Sequence, residues 1–124
     1  GHVPTLAAWG LGHGLNGDAV LALTATEAKV GGDIGLAVNL RSRSPRPQTL
    51  VIDYVVHHVR ANGGTSPKVF KGWKLELAAH GEHALSKRHS LRPVTTRTLY
   101  PGRHRIEVQV NGQVCAGADF ELLP

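Results

Sequence analysis

The sequence predicts an all-β protein, an immunoglobulin-like antiparallel β-sandwich of about seven strands. Three observations lead there. Apolar side chains recur at every second residue in several segments, and turn-forming residues separate those segments. No segment combines a 3.6-residue apolar period with helix caps. A chain of 124 residues suits one domain able to bury its own core. Aromatic residues are only 5%, so Val, Leu, Ile and Ala must fill most of that core.

Residues 1–17 (GHVPTLAAWGLGHGLNG) hold five Gly and a Pro without a sustained period. They read as a linker or tether, with Gly1-His2 as an expression scar and Trp9 and Leu11 docked on the domain. Residues 18–124 form the sandwich. Ala19–Ala25 is a weak strand. Ile34, Leu36, Val38 and Leu40 then alternate with Asp33, Gly35, Ala37 and Asn39, as a half-buried strand requires. After Ser44-Pro45-Arg46-Pro47, residues 50–60 (LVIDYVVHHVR) are apolar on both faces apart from Asp53, which suits a central strand. Asn62-Gly63-Gly64 and Ser66-Pro67 punctuate the chain before Trp73, Leu75, Leu77 and Ala79 alternate with Lys74, Glu76, Ala78 and His80. Gly81-Glu82 precedes a weaker strand at 84–91, and Tyr100-Pro101-Gly102 precedes Ile106, Val108 and Val110. Asn111-Gly112 is the preferred pair for a two-residue type I′ hairpin, so the chain should return with Val114, Ala116, Ala118, Phe120 and Leu122 on one face. Leu36, Val38, Trp73, Leu75, Ile106, Val108 and Phe120 are the expected core.

Charge is the most informative functional signal. Fourteen Lys and Arg oppose nine Asp and Glu, for a net +5 and a pI near 9.9. From Arg60 to Arg105 there are ten cations and only two acids, Glu76 and Glu82. Such a balance favours polyanions, and phosphate neutralisation needs cations clustered on one surface without any particular spacing. The candidate DNA-phosphate ligands are Lys68, Lys71, Lys87, Arg88, Arg92, Arg97 and Arg103, several of them expected in loops at 66–72 and 92–104. The competing reading of the same charges is a solvated surface. Aromatic residues that could stack on bases are few in this stretch: Phe70, Trp73 and Tyr100.

Other chemistry finds little support. His57 and His58 are adjacent on a strand and point to opposite faces. His80 and His83 would oppose each other across a two-residue hairpin, but zinc needs three or four ligands, so no metal and no cofactor are expected. His104 enters the penultimate strand where sandwiches often place a corner tyrosine, and should pack and hydrogen-bond to backbone there. No nucleophile elbow, phosphate loop or paired carboxylates are present, so no catalytic residue is assigned and no small-molecule substrate is expected. Cys115 alternates away from the apolar set and should be an inert thiol. A single cysteine excludes an internal disulfide framework, and no apolar run is long enough to span a membrane. With no signal-peptide pattern either, the chain reads as a reduced, cytoplasmic domain.

Three strings carry a resemblance: DYVVHHVRANGGTSPKVFK (Asp53–Lys71), KRHSLRPVTTRTLYPGRHRIEVQVNG (Lys87–Gly112) and ADFEL (Ala118–Leu122). They resemble the β-rich C-terminal extension of bacterial DNA alkylation repair proteins, the HEAT-repeat-like alkylpurine glycosylase family. The resemblance implies a bacterial DNA-repair setting and a helical, HEAT-like partner domain in the parent protein. That helical domain, with its damaged-base cleft, is absent from this sequence, and none of the family's catalytic residues has a counterpart here. Two functional expectations follow: an accessory, non-catalytic module that contacts DNA through a basic face, or an interaction module that docks on a helical domain or partner. A secreted sugar-binding sandwich is disfavoured by the few aromatics and the lack of disulfides. The two main expectations differ in whether the cations converge on one face.

Overall fold

The computed structural model describes residues 14–94 and 98–124. Eight strands follow in order: β1 (Gly17–Leu23), β2 (Glu27–Lys29), β3 (Asp33–Ser42), β4 (Gln48–Val59), β5 (Thr65–Leu77), β6 (Glu82–Ser90), β7 (Gly102–Val110) and β8 (Gln113–Leu123). They form two packed sheets, one ordered β1-β3-β6 and the other β2-β8-β7-β4-β5. The immunoglobulin-like sandwich expected from the alternation is therefore present. One pairing departs from it: β2 runs parallel to β8 through Glu27–Glu121, Ala28–Leu122 and Lys29–Leu123. Three residues are too few to display a period, so nothing in the sequence marked this strand.

The core lies between the inner faces. β4 is central, hydrogen-bonded to β5 on one side and β7 on the other. It buries Leu50, Ile52, Tyr54, Val56 and His58 inward, and Val55 on its other face. The smaller sheet contributes Ala19, Leu21, Ile34, Leu36, Val38 and Leu40. Of the residues expected in the core, Leu36, Val38, Ile106, Val108 and Phe120 are buried. Trp73 and Leu75 are only half-buried, because β5 is the edge of a five-stranded sheet facing a three-stranded one. The tether assigned to 1–17 falls largely outside the described residues, Trp9 and Leu11 included. Leu15 lies in the core and Gly17 already begins β1.

Two register shifts and the extent of β5 account for the remaining corrections. Asn111 (φ 49°) and Gly112 (φ 84°) form the type I′ turn, with Val110 opposite Gln113. Val108 then pairs with Ala116 but Gln109 with Val114, which leaves Cys115 as the extra residue of a β-bulge. The bulge reverses the parity, so Val114 faces solvent and Cys115 is 1% exposed, the opposite of the simple alternation. On β5, Ile52 pairs with Trp73 and Asp53 with Lys71, leaving Gly72 unpaired. A Cβ on Gly72 would stand 2.5 Å from the Ile52 carbonyl oxygen, so glycine permits this close approach. Residues 66–72, expected as a loop, are part of this long strand. His80 and His83 do not face each other: β5 stops at Leu77, His80 sits in the turn with φ 51°, and His83 pairs with Leu40.

Val108 is fully buried on β7 between β4 and the bulge. Val108→Ala should lower unfolding free energy by about 1–3 kcal/mol in urea titrations, with an unchanged slope.

Candidate functional site

Strand β5 closes one edge of the larger sheet and β6 the neighbouring edge of the smaller. Lys87 ties the two together. It pairs with Leu36, whose side chain points inward, so its stem crosses the gap between the sheets. Its ammonium donates to the Lys71 carbonyl oxygen at 3.2 Å and sits 5.8 Å from the centre of the Tyr54 ring. On β5, Lys68 shares its face with inward Val56 and Phe70 with inward Tyr54, while Lys71 lies opposite outward Asp53. Arg88 is on the outer face of β6, where its guanidinium meets Asp33 at 2.7 Å. Arg92 follows the end of β6, beyond the strand alternation that would have set its face. Arg88 and Arg92 nevertheless line one cleft with Phe70, Tyr54 and His58.

The structure thus gathers Lys68, Lys71, Lys87, Arg88 and Arg92 along one open edge, all exposed. Among the described residues no carboxylate lies within ion-pair distance of Lys68, Lys71, Lys87 or Arg92. Arg103 is not part of this group. It projects from the outer face of β7, 3.9 Å from Asp119, which also binds Arg105 at 2.9 Å. Arg97 lies outside the described residues.

That outer face of the larger sheet carries a charge network. His57 Nε2 bonds Glu107 at 2.7 Å, Glu107 accepts from Arg105, and Arg105 reaches Asp119. Burial alone would push the Glu107 carboxyl up, but its bonds from His57 and Arg105 prevail and hold it below the usual carboxylate range. Asp119 and Glu107 in turn push the Arg105 guanidinium higher. The cations here are locally neutralised, as Arg88 is by Asp33, unlike Lys68, Lys71, Lys87 and Arg92 on the β5–β6 edge.

Beneath the open edge the core changes from aliphatic to ring packing, a feature the sequence reading did not single out. Tyr54 and Phe70 stack with centroids 5.2 Å apart, and His89 meets Phe70 edge-on at 4.7 Å. His58 bridges Phe70 and His104, and His104 packs on Phe120 at 5.2 Å. The Tyr54 hydroxyl and His89 Nδ1 share a 3.0 Å hydrogen bond, and burial pushes the Tyr54 phenol up, so it stays neutral. The signal was available: Tyr54 and His58 occupy the same parity on β4 as Ile52 and Val56. His104, fully buried, bonds the Gly102 carbonyl oxygen through Nδ1 at 3.1 Å, the backbone role expected of it. Among the described residues, no three His, Cys, Asp or Glu side chains come together to hold a metal. Burial pushes the Cys115 thiol up to about 12, and its Sγ points at the Val108 carbonyl oxygen. No described helix is long and apolar enough to cross a membrane.

Burial holds the His104 imidazole below its ordinary value, and the Gly102 bond and the Glu121 charge offset only part of that. The folded state therefore resists protonation while the unfolded chain accepts it near pH 6.5. Stability should be complete above that pH and fall as pH drops below it, read as a declining urea midpoint. In His104→Phe the decline should be smaller.

Comparison with known proteins places these features in context. A family model described as the C-terminal Ig-like domain of the uncharacterised protein YhaZ matches residues 18–124. YhaZ of Bacillus subtilis (strain 168) is 32% identical over 79 residues, which is 64% of this chain and 22% of that protein. Among solved structures, the Pseudomonas fluorescens alkylpurine DNA glycosylase AlkC, bound to DNA containing an abasic site analog, superposes with a TM-score of 0.81. It is 38% identical over 84% of this chain and 29% of its own. A β-glucosidase from Listeria innocua shares the fold at TM-score 0.67 and 16% identity, a likeness of architecture alone. The chain spans 22% of YhaZ and 29% of the AlkC chain.

Proposed function

Since the chain belongs to the family of YhaZ C-terminal Ig-like domains, we propose that it is a non-catalytic accessory domain of a DNA alkylation repair protein, contacting the DNA backbone through its β5–β6 edge. The observation that carries this reading is the Lys87 bridge, which collects cations from both sheets on one edge with few acids to neutralise them. Mobile lysine and arginine heads at such an edge suit phosphate oxygens, whose neutralisation releases counterions and demands no sequence. The likeness to AlkC, a glycosylase solved on DNA, supports the setting. In that setting a helical domain of the parent protein performs the chemistry in the cytoplasm, and this domain lengthens residence on DNA.

A second reading rests on the outer face of the smaller sheet. Ala22, Ala37 and Ser86 lie side by side there in register, and in the next row Val20 and Ala84 flank Asn39, a surface of mostly small side chains suited to packing against a helical domain. The two readings separate by experiment. With three to five phosphate contacts, log K against log salt should have a slope of about −3 to −4.5 in fluorescence anisotropy with a duplex of arbitrary sequence. Lys68→Ala combined with Arg92→Ala, both exposed, should flatten the slope by up to about two units without changing the thermal melt. Undetectable binding at ~50 mM salt, or an unaltered slope, decides for the docking module.

A further inference from the structure

Asparagine followed by glycine can react with its own backbone, because glycine leaves the nitrogen that follows the asparagine unshielded. That nitrogen attacks the side-chain carboxamide carbon, a cyclic imide forms and ammonia leaves. Water then opens the imide to aspartate or isoaspartate. The chain has three such pairs: Asn16-Gly17, Asn62-Gly63 and Asn111-Gly112.

The structure restrains them differently. Asn111 is tied to the central strand β4. Its Oδ1 accepts from the Val51 N–H at 2.9 Å, its Nδ2 donates to the Thr49 carbonyl oxygen at 3.4 Å, and its own N–H donates to the Val51 carbonyl oxygen at 2.8 Å. Turning that carboxamide towards Gly112 means breaking bonds to a strand that is paired on both sides. Asn16-Gly17 is restrained through its backbone. The Gln48 carboxamide accepts the Asn16 N–H and donates to the Asn16 carbonyl oxygen, while Gly17 is buried, where a Cβ would collide with the Arg41 carbonyl oxygen.

Asn62 differs. It stands with Gly63 and Gly64 at the tip of the β4–β5 hairpin, all three exposed. Among the described residues its side chain is held only from within that tip, by the Gly64 N–H donating to Oδ1 at 2.9 Å. The donor moves with the tip, so it can stay on Oδ1 as attack develops negative charge there. Gly63 (φ 86°) has nothing within 4 Å of where its Cβ would stand, so the imide ring can close without a clash. Its N–H donates to the Arg60 carbonyl oxygen at 2.9 Å, and this bond of an exposed turn is the one that must open first.

We propose that Asn62 is a modification site, converting to aspartate or isoaspartate in the folded domain while Asn16 and Asn111 persist. Each event replaces a neutral amide with a carboxylate beside Arg60 and lowers the net charge by one from +5. Isoaspartate also adds a methylene to the backbone of the turn that joins β4 to β5.

The test ages the folded chain in mildly alkaline buffer at body temperature. Its proteolytic peptides are then read by mass spectrometry, with electron-based fragmentation to separate isoaspartate from aspartate. The Asn62 peptide should gain the mass of an amide-to-acid conversion at least about tenfold faster than the Asn16 and Asn111 peptides, the factor that one hydrogen bond of ordinary strength supplies. Ageing in concentrated urea should bring the three rates together, since a glycine follows each asparagine. Asn62→Ser should remove the modification from the folded chain. Asn16 or Asn111 converting as fast as Asn62 in the folded protein, rates that stay apart in urea, or an unmodified Asn62 each overturn the proposal.

Discussion

The sandwich is organised around the inward face of β4. Five side chains there, Leu50, Ile52, Tyr54, Val56 and His58, face the smaller sheet, and the strand is hydrogen-bonded on both sides. Leaving any backbone group of such a strand unpaired would strand it in an apolar interior, so β5 and β7 are compelled to match its register. The aliphatic half of that face packs against Leu36, Val38 and Leu40. The other half, from Tyr54 to His58, meets rings: Phe70, His89 and, through His58, His104 and Phe120. Ring packing needs more lateral room than methyl groups do. It is at this end that the cleft opens and the loops after β6 leave the sheet.

How much of this was legible in the sequence follows from the same physics. Period-two alternation reports a strand whenever one face is buried, and β3 and β7 were readable for that reason, whereas β4 was readable from a run apolar on both faces. Alternation is blind to an inserted residue. The bulge at Cys115 exchanged the faces of Val114 and Cys115, and Gly72 interrupted β5, with no compositional sign beyond the glycine itself. Edge position was equally invisible, which is why Trp73 and Leu75 looked like core. For the site, the sequence exposed the cations but not their sides. Lys68 and Lys87 occupy inward registers at an uncovered edge, where a lysine stem can run along apolar surface and surface its charge beyond it. Arg103 belongs to the opposite, acid-balanced face, a distinction that depends on Asp119 across the strand pair.

The Lys87 bridge also addresses a hazard of open sheets. Strands β5 and β6 both end their sheets, and an unpaired edge invites pairing with another chain. Lys68, Lys71 and Lys74 along β5, Pro67 within it, and an ammonium capping the Lys71 carbonyl oxygen all discourage that. The cations proposed to contact the DNA backbone would therefore serve two ends at once: they keep the edge from recruiting a strand and leave it able to receive a polyanion.

The inward turn of Cys115 has a practical consequence. The chain's sole thiol is sealed beneath β7 and β8, with burial holding it protonated far above neutral pH. A cysteine introduced on the surface would then be chemically unique without any need to replace the native one. Spectroscopic labels could be set one at a time along the β5–β6 edge, turning the domain into its own ruler for whatever approaches it.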